Sequence, residues 1–202
     1  MKTEQEIING CLKRKRKAQK ILFEKYHASL MGICLRYAKN KSEAEDILLI
    51  GFTRIFQKIE SYSAAGSFEG WLRRIVINVA IDNFRKNKKN YYFETLEESS
   101  YSSEYADYVP DTFAIEDILK TIQSLPNGYR MVFNLYAIEG YSHKEIAEML
   151  GFSESTSKTQ YLKARKKLQS MLAEYNYQKP ESKPKTNGSR VNFFIPIIKT
   201  DD

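Results

Sequence analysis

Residues 141–168, YSHKEIAEMLGFSESTSKTQYLKARKKL, constrain what this chain can fold into more than any other stretch. Ser142 and Glu145 have the S-x-x-E spacing of a capping box, which satisfies two orphan amide donors at a helix start. Ile146, Ala147, Met149 and Leu150 give the short helix that follows an apolar side. Gly151 falls where a helix end favours a residue tolerant of positive φ, and Ser153 is placed to cap a second helix. In that helix Ser157, Tyr161, Ala164, Leu168 and Leu172 recur at three- and four-residue steps, which predicts an inward stripe. Thr156, Thr159, Gln160, Lys163, Lys166 and Lys167 fall on the other face. A short helix, a turn and a basic helix with a polar N-terminal half is the arrangement that sets side chains into a DNA major groove. The competing reading is a pair of packed surface helices with a solvated charged face. The coincidence of capping box, turn glycine and a mix of hydroxyl, amide and lysine side chains favours DNA binding.

A net charge of +7 over 202 residues also favours a polyanionic partner. Nine glycines, five prolines and few alternating β-branched runs favour helices over strands. The two cysteines, Cys11 and Cys34, lack metal-ligand spacing, and so low a count fits a reducing compartment. Cys34 lies within an apolar helical pattern and is expected as a buried core thiol. The N-terminus, MKTEQEIING, has no apolar run of signal-peptide length, and no stretch approaches a membrane span. The expected location is cytoplasmic, without membrane insertion. There is no metal cluster, Gly-rich phosphate loop or nucleophile motif, and the two histidines are far apart. The expectation is therefore a non-enzyme with no catalytic residue, cofactor or metal.

From the N-terminus, residues 4–20 read as a first helix, with a dense basic run KRKRK at 13–17 followed by Lys20. A solvated helix face and phosphate contact are both open for that run. Residues 18–38 continue as a core helix through Leu22, Phe23, Tyr26, Leu30, Ile33, Cys34 and Tyr37. His27 falls between these positions as a surface or packing residue. Ser42 and Glu45 offer a second capping box. The helix after it, to about Ile59, buries Ala44, Ile47, Leu48, Phe52, Ile55 and Ile59. Its opposite face carries Asp46, Ile50, Thr53 and Gln57, with Leu49 at the edge. An exposed Ile50 beside the acidic pair Glu45 and Asp46 suggests a protein contact surface.

Residues 61–70, SYSAAGSFEG, read as a loop carrying Phe68. Trp71 is expected to open the next helix, with Trp71, Leu72, Ile75, Val76 and Val79 inward. Arg74, Asn78 and Arg85 lie along one flank and Asp82 nearby. Arg85, Lys86, Lys88 and Lys89 close the helix, where cations suit the negative end of its dipole. An aromatic loop beside a helix bearing Asn and Arg suits unpaired bases, which aromatics stack while basic groups hold phosphates. Residues 91–119 contain no Lys or Arg, and 87–112 read as an interdomain linker. A helix over 113–124 is broken by Pro126. Another covers NGYRMVFNLYAIEG with Met131, Val132, Leu135 and Tyr136 apolar, up to Gly140. Residues 176–202 form a tail, polar at first and ending in the apolar VNFFIPII. That segment is expected to dock on an apolar groove or to be captured by a partner, with a disordered end as the rival.

In this order, AEDI at 44–47, GFTRIF, WLRRIVINVAIDNFRK, LPNGYRMVFNLYAIEGYSHKEIAEMLG and SESTSKTQYLKARKKL resemble the extracytoplasmic-function group of bacterial RNA polymerase sigma factors. The resemblance covers about residues 18–174. It implies an all-α fold of two small helical domains joined by a flexible acidic linker, the second containing a helix-turn-helix. The first domain, 1–86, would bind core RNA polymerase and the promoter −10 element. The linker, 87–112, would thread toward the polymerase active site, and 113–175 would bind the −35 element. Glu45, Asp46, Arg54 and Phe56 match the segment that docks on the polymerase, and the exposed Leu49, Ile50, Thr53 and Gln57 join them. Trp71, Asn78, Asp82 and Arg85 match the −10 segment, beside Arg74 and Lys86. Flipped bases would be captured near Phe68 and Asn78. Ser155, Thr156, Lys158, Thr159, Gln160 and Lys163 match the −35 recognition helix, which continues through Lys166 and Lys167. Two departures stand out: Leu49 and Ile50 replace the family's usual Gln and acidic residue, and Ser155 replaces a usual Gly. The implied partners are core RNA polymerase, promoter DNA and, as is frequent in the family, an anti-sigma factor. The rival is a helix-turn-helix transcription regulator that does not act as a polymerase subunit.

Overall fold

The computed structural model describes residues 3–97 and 115–178, which contain eight α-helices, a 3-10 turn, a π-helical turn and short loops, with no strand among the described residues. The chain divides into two compact units, Met1–Lys89 and Asn90–Asp202. The expected linker beyond Glu97 and the tail beyond Gln178 lie outside the described residues.

In the first unit, α1 (Glu4–Leu12) opens with a capping box of Thr3 and Glu6. The helix expected over 4–20 is two. Arg14 takes a left-handed φ of 53° and turns the chain, and α2 runs Arg16–Tyr37. Six cations between positions 13 and 20 repel along a continuous helix, which helps the break. Tyr26 donates its hydroxyl to Glu4 Oε2 at 2.6 Å and ties α1 to α2. Leu22, Tyr26, Leu30, Ile33, Cys34 and Tyr37 are buried, as their period predicts, while Phe23 is half-buried against Phe52.

α3 (Lys41–Lys58) is not capped by Ser42. Asn40 takes that place, its side-chain oxygen accepting from Glu43 N at 2.9 Å, and the Glu43 carboxylate accepts from Lys39 N at 2.7 Å. Asn caps as well as Ser, and with Asn40 in position Ser42 lies inside the first turn. Ala44, Ile47, Leu48, Phe52 and Ile55 are buried as expected, and Ile59 is buried in a 3-10 turn after the helix. Gly51 lets α3 approach its neighbour, since a Cβ there would sit 3.0 Å from Val76 Cγ2.

α4 starts at Phe68, not Trp71, and runs to Glu97. Phe68 is 1% exposed, ringed by Tyr26, Tyr62 and Trp71 at 5.0–5.8 Å between centroids. Leu72, Val76 and Val79 are buried as expected, with Ile77, Ala80, Ile81 and Phe84, whereas Trp71 and Ile75 are half-buried. The helix continues past position 87, where the linker was expected to begin. The sequence NKKNYYFETLE holds no Pro or Gly to stop it.

The second unit comprises α5 (Ile115–Gln123), α6 (Asn127–Phe133), α7 (His143–Leu150) and α8 (Glu154–Gln178). α8 thus extends past the expected domain end at 175. Pro126 sits at the N-cap of α6. Buried Arg130 staples the α5–α6 turn. Its guanidinium donates to the carbonyls of Gln123 at 2.6 Å and Leu125 at 2.8 Å, and to the Asn127 side chain. The helix expected to run on to Gly140 loosens into a π-helical turn over Asn134–Ile138. Asn134 Nδ2 donates to the Arg130 carbonyl there, and Glu139 N reaches back to Asn134 O. Ile122, Leu125, Tyr129, Ala164 and Leu168 form a core that packs α8 on α5 and α6.

Candidate nucleic-acid interface

α7 and α8 form the expected helix-turn-helix from local interactions. Ser142 Oγ accepts from Glu145 N, and Glu145 Oε2 accepts from Ser142 N at 2.8 Å and from its hydroxyl at 2.7 Å. The hydroxyl and amide of Ser142 hold the Glu145 carboxyl below its ordinary range. Gly151 has φ 69° and donates to Ala147 O at 2.9 Å. Ser153 Oγ accepts from Thr156 N at 3.1 Å and caps α8. His143, which the sequence did not single out, locks the two helices together. Its Nδ1 lies 2.9 Å from the hydroxyl of fully buried Ser157, and its ring stacks on Tyr136 at 4.2 Å. A histidine at the first position of a helix was the only sequence signal for that role.

On α8, Ser155, Lys158, Thr159, Lys163 and Lys166 are exposed, and Thr156, Gln160 and Lys167 are half-buried. Several polar groups are already engaged. The Ser155 and Thr156 hydroxyls each lie 2.8 Å from Ser153 Oγ, Thr159 Oγ1 donates to Ser155 O, and Lys158 pairs with Glu154 at 2.8 Å. Gln160 does not simply face outward beside Lys163, as expected. Its Oε1 is buried without a hydrogen-bond partner, lying against Gly128 of α6. Tyr129 with Ser155, Thr156, Thr159, Gln160 and Lys163 line a shallow depression of about 220 Å³.

On α4, Arg74, Asn78, Arg85 and Lys86 are exposed, as a strand-binding flank requires. Phe68 is not available to stack on a base, because it starts the helix and fills the core. Trp71 packs parallel to it at 5.7 Å and is half-buried, as is Tyr62 beside it. Asp82 is paired with Arg54 of α3 at 2.6 Å, so one residue expected at the polymerase and one expected at the −10 strand are joined to each other. Asn83, also not singled out, donates to Glu43 Oε1 at 2.7 Å.

On α3, Glu45, Asp46, Leu49, Ile50, Thr53 and Gln57 form an exposed ridge, with Arg54 and Phe56 half-buried. Leu49 is 60% and Ile50 48% exposed, the apolar exposure expected from the helical period. Thr53 Oγ1 donates to Leu49 O, which leaves its hydroxyl as an acceptor. Inside the fold, burial pushes the Cys34 thiol up to about 12 and raises Cys11 as well.

A capped helix-turn-helix with an exposed lysine face, in an all-helical chain whose other unit carries a cationic helix flank, defines a DNA-binding protein of the helix-turn-helix class. Comparison with known proteins narrows this. The model for sigma-70 region 2 matches residues 22–90, and that for sigma-70 region 4 matches 115–168. The chain is 34% identical to the ECF RNA polymerase sigma factor SigW of Bacillus subtilis, over 73% of its own length and 84% of the relative's. It is 29% identical to the ECF RNA polymerase sigma factor SigE of Mycolicibacterium smegmatis, over 74% of its length and 60% of that relative's. Among solved structures, the sigma factor RpoE of Bartonella quintana, in complex with the anti-sigma factor NepR, is 18% identical with a TM-score of 0.47, covering 76% of this chain and 96% of that one. The chain belongs to the extracytoplasmic-function family of sigma-70 RNA polymerase sigma factors. No helix among the described residues is long and apolar enough to cross a membrane.

Proposed function

We propose that this chain directs core RNA polymerase to specific promoters and assists their opening, acting by binding rather than catalysis, in the cytoplasm. The observation that carries this is the α7–turn–α8 unit, closed by its own capping box and left-handed glycine and presenting Lys163 and Lys166 to solvent. Residues 113–175 read the −35 duplex with α8, where side chains reach base edges in the major groove. Residues 1–86 hold the polymerase with the α3 ridge and the −10 strand with Arg74, Asn78, Arg85 and Lys86 of α4, and 87–112 join the two. With Phe68 buried, Trp71 and Asn78 are the groups left to receive an unstacked base. Unstacking costs a few kcal/mol per base, so this contact has to supply that much. The Arg54–Asp82 pair fixes the Asp82 carboxylate one turn beyond Asn78, and its other oxygen remains an acceptor for a base amino group. An anti-sigma factor that holds the protein inactive would have to cover the Leu49–Ile50 ridge or the recognition helix.

In vitro transcription with core polymerase tests the reading. Adding the full chain alone should produce promoter-specific initiation. A helix-turn-helix regulator that is not a polymerase subunit would bind duplex DNA and leave core polymerase unable to initiate, and that result would reject the proposal.

A further inference from the structure

The first 89 residues carry 19 Lys and Arg against 9 Asp and Glu, a net +10, while the remaining residues carry 13 against 16, a net −3. The chain's positive excess therefore lies wholly in the first unit. Six of its 19 cations fall between positions 13 and 20, before residue 22 where the region 2 match begins. They gather at the turn between α1 and α2. Lys13, Arg14, Lys15, Arg16 and Lys17 are all exposed. None of the five has an ion-pair partner among the described residues. Lys20 alone meets an acid, Glu24 at 3.7 Å.

The placement works against the fold. Lys15 caps α2 without a side-chain hydrogen bond, and the first turn of α2 holds no acidic residue. Cations there face the positive end of the helix dipole, and Arg16 and Lys20 repel across one turn. Among the described residues, nothing in α1, α2 or their packing uses these charges. We propose that the α1–α2 turn is a separate binding site for the DNA phosphate backbone, taking promoter DNA in addition to the contacts of α4 and α8. An unbroken run of mixed Lys and Arg suits a row of phosphates. Leu12, 38% exposed beside the run, is a single aliphatic contact, short of the cluster of apolar anchors that a protein interface buries at its centre. Phosphate contacts hold the duplex in register without reading its sequence.

This rests on the promoter-binding reading above. The test measures binding of a promoter duplex by the full chain with core polymerase, as log Kd against log salt from about 50 to 200 mM. The variant is K13Q/K15Q/R16Q/K17Q, with Arg14 retained because its left-handed backbone makes the turn. Removing one neutralised phosphate from the interface lowers the slope by about 0.9. A fall of about 2 or more, equal on promoters of different sequence and with core affinity unchanged, supports the site. A smaller fall overturns it. Weakened core affinity with an unchanged slope also overturns it and assigns the turn to an acidic protein surface. If the variant melts below the unsubstituted chain, K13Q/K17Q replaces it, with a fall of about 1 or more expected and a smaller one overturning the site. Should the unsubstituted chain form no salt-dependent promoter complex, the promoter-binding reading itself fails.

Discussion

Gly128→Ala probes the seat of Gln160. An ideal Cβ at Gly128 would lie 2.5 Å from Gln160 Oε1 and 3.3 Å from its Cδ and Nε2. A clash with packed core usually costs about 1–3 kcal/mol. Here the atom in the way is the far end of a flexible side chain, and it is buried without a partner. Moving it into water removes an unpaired acceptor whose burial costs about 1–3 kcal/mol. Exchanging glycine for alanine inside α6 adds about 0.5–1 kcal/mol. Against these stands the re-exposure of two methylenes, at most about 1.6 kcal/mol. The net expectation is a change between about zero and +2.4 kcal/mol in favour of the fold. In a domain this small each kcal/mol shifts the melting temperature by about 4–8 °C. A thermal melt of the full chain reads this directly. The displaced amide also joins the exposed face of α8, so G128A should alter preference at one −35 base pair by about 1–3 kcal/mol, and G128A/Q160A should not. A loss of more than about 1 kcal/mol on G128A would mean that Gln160 cannot leave its seat, and the reasoning would be wrong.

Ile50→Glu places a charge on an already exposed position, so it should leave the melting temperature within a few degrees while weakening polymerase binding; full burial of Ile50 by a partner is worth about 1.5–3 kcal/mol, and a large drop in melting temperature would return it to the core. Asn40→Ala should cost about 1 kcal/mol as the loss of a helix cap, and Ser42→Ala less than about 0.5, read by denaturant unfolding; the reverse order would restore Ser42 as the cap. Because the Glu145 carboxyl is depressed by Ser142, its contribution is complete above the ordinary glutamate value of about 4.3 and is lost as pH falls through its lowered one. Glu145→Gln should therefore flatten that part of the acid melting profile, and an unchanged profile would show that the capping box does not couple to stability. Cys34, pushed up to about 12, stays a thiol at neutral pH, so native protein should resist thiol reagents at a rate set by unfolding; fast labelling of Cys34 in folded protein would contradict its burial.

The parts of the fold that were legible in the sequence are those encoded within one helical turn. The Ser142–Glu145 box, the Gly151 turn and the period of Leu22, Tyr26, Leu30 and Ile33 need only neighbours three or four residues away. Phe68 was misplaced because its burial depends on Tyr26 and Tyr62, which tertiary packing brings to it. Ser42 and Asn40 both carry capping side chains, and spacing alone does not rank them. Arg54 and Asp82 stand 28 residues apart, and Gln160 meets Gly128 across two helices. Nothing local announces either partnership: Arg54 is placed by the family resemblance, Asp82 by the resemblance and its position near the α4 flank, and Gln160 by its helix face and the resemblance. The exposed cations of α4 and α8 were legible because a charge on a helix face needs no tertiary contact to stay in water. His143 was not, because a stacked, hydrogen-bonded ring looks in sequence like any polar residue.

The Arg54–Asp82 pair carries a consequence for genetics. It joins the helix proposed to meet the polymerase to the helix proposed to meet the opened strand, so lesions on the two surfaces need not segregate. A selection for restored promoter opening, begun from a damaged Asp82, should return second-site changes at position 54 among its suppressors. A selection for restored polymerase affinity, begun from a damaged Arg54, should return changes at 82. Scored one substitution at a time, each residue would be assigned to both interfaces, and a map drawn from single variants would show one continuous functional surface in place of the two proposed.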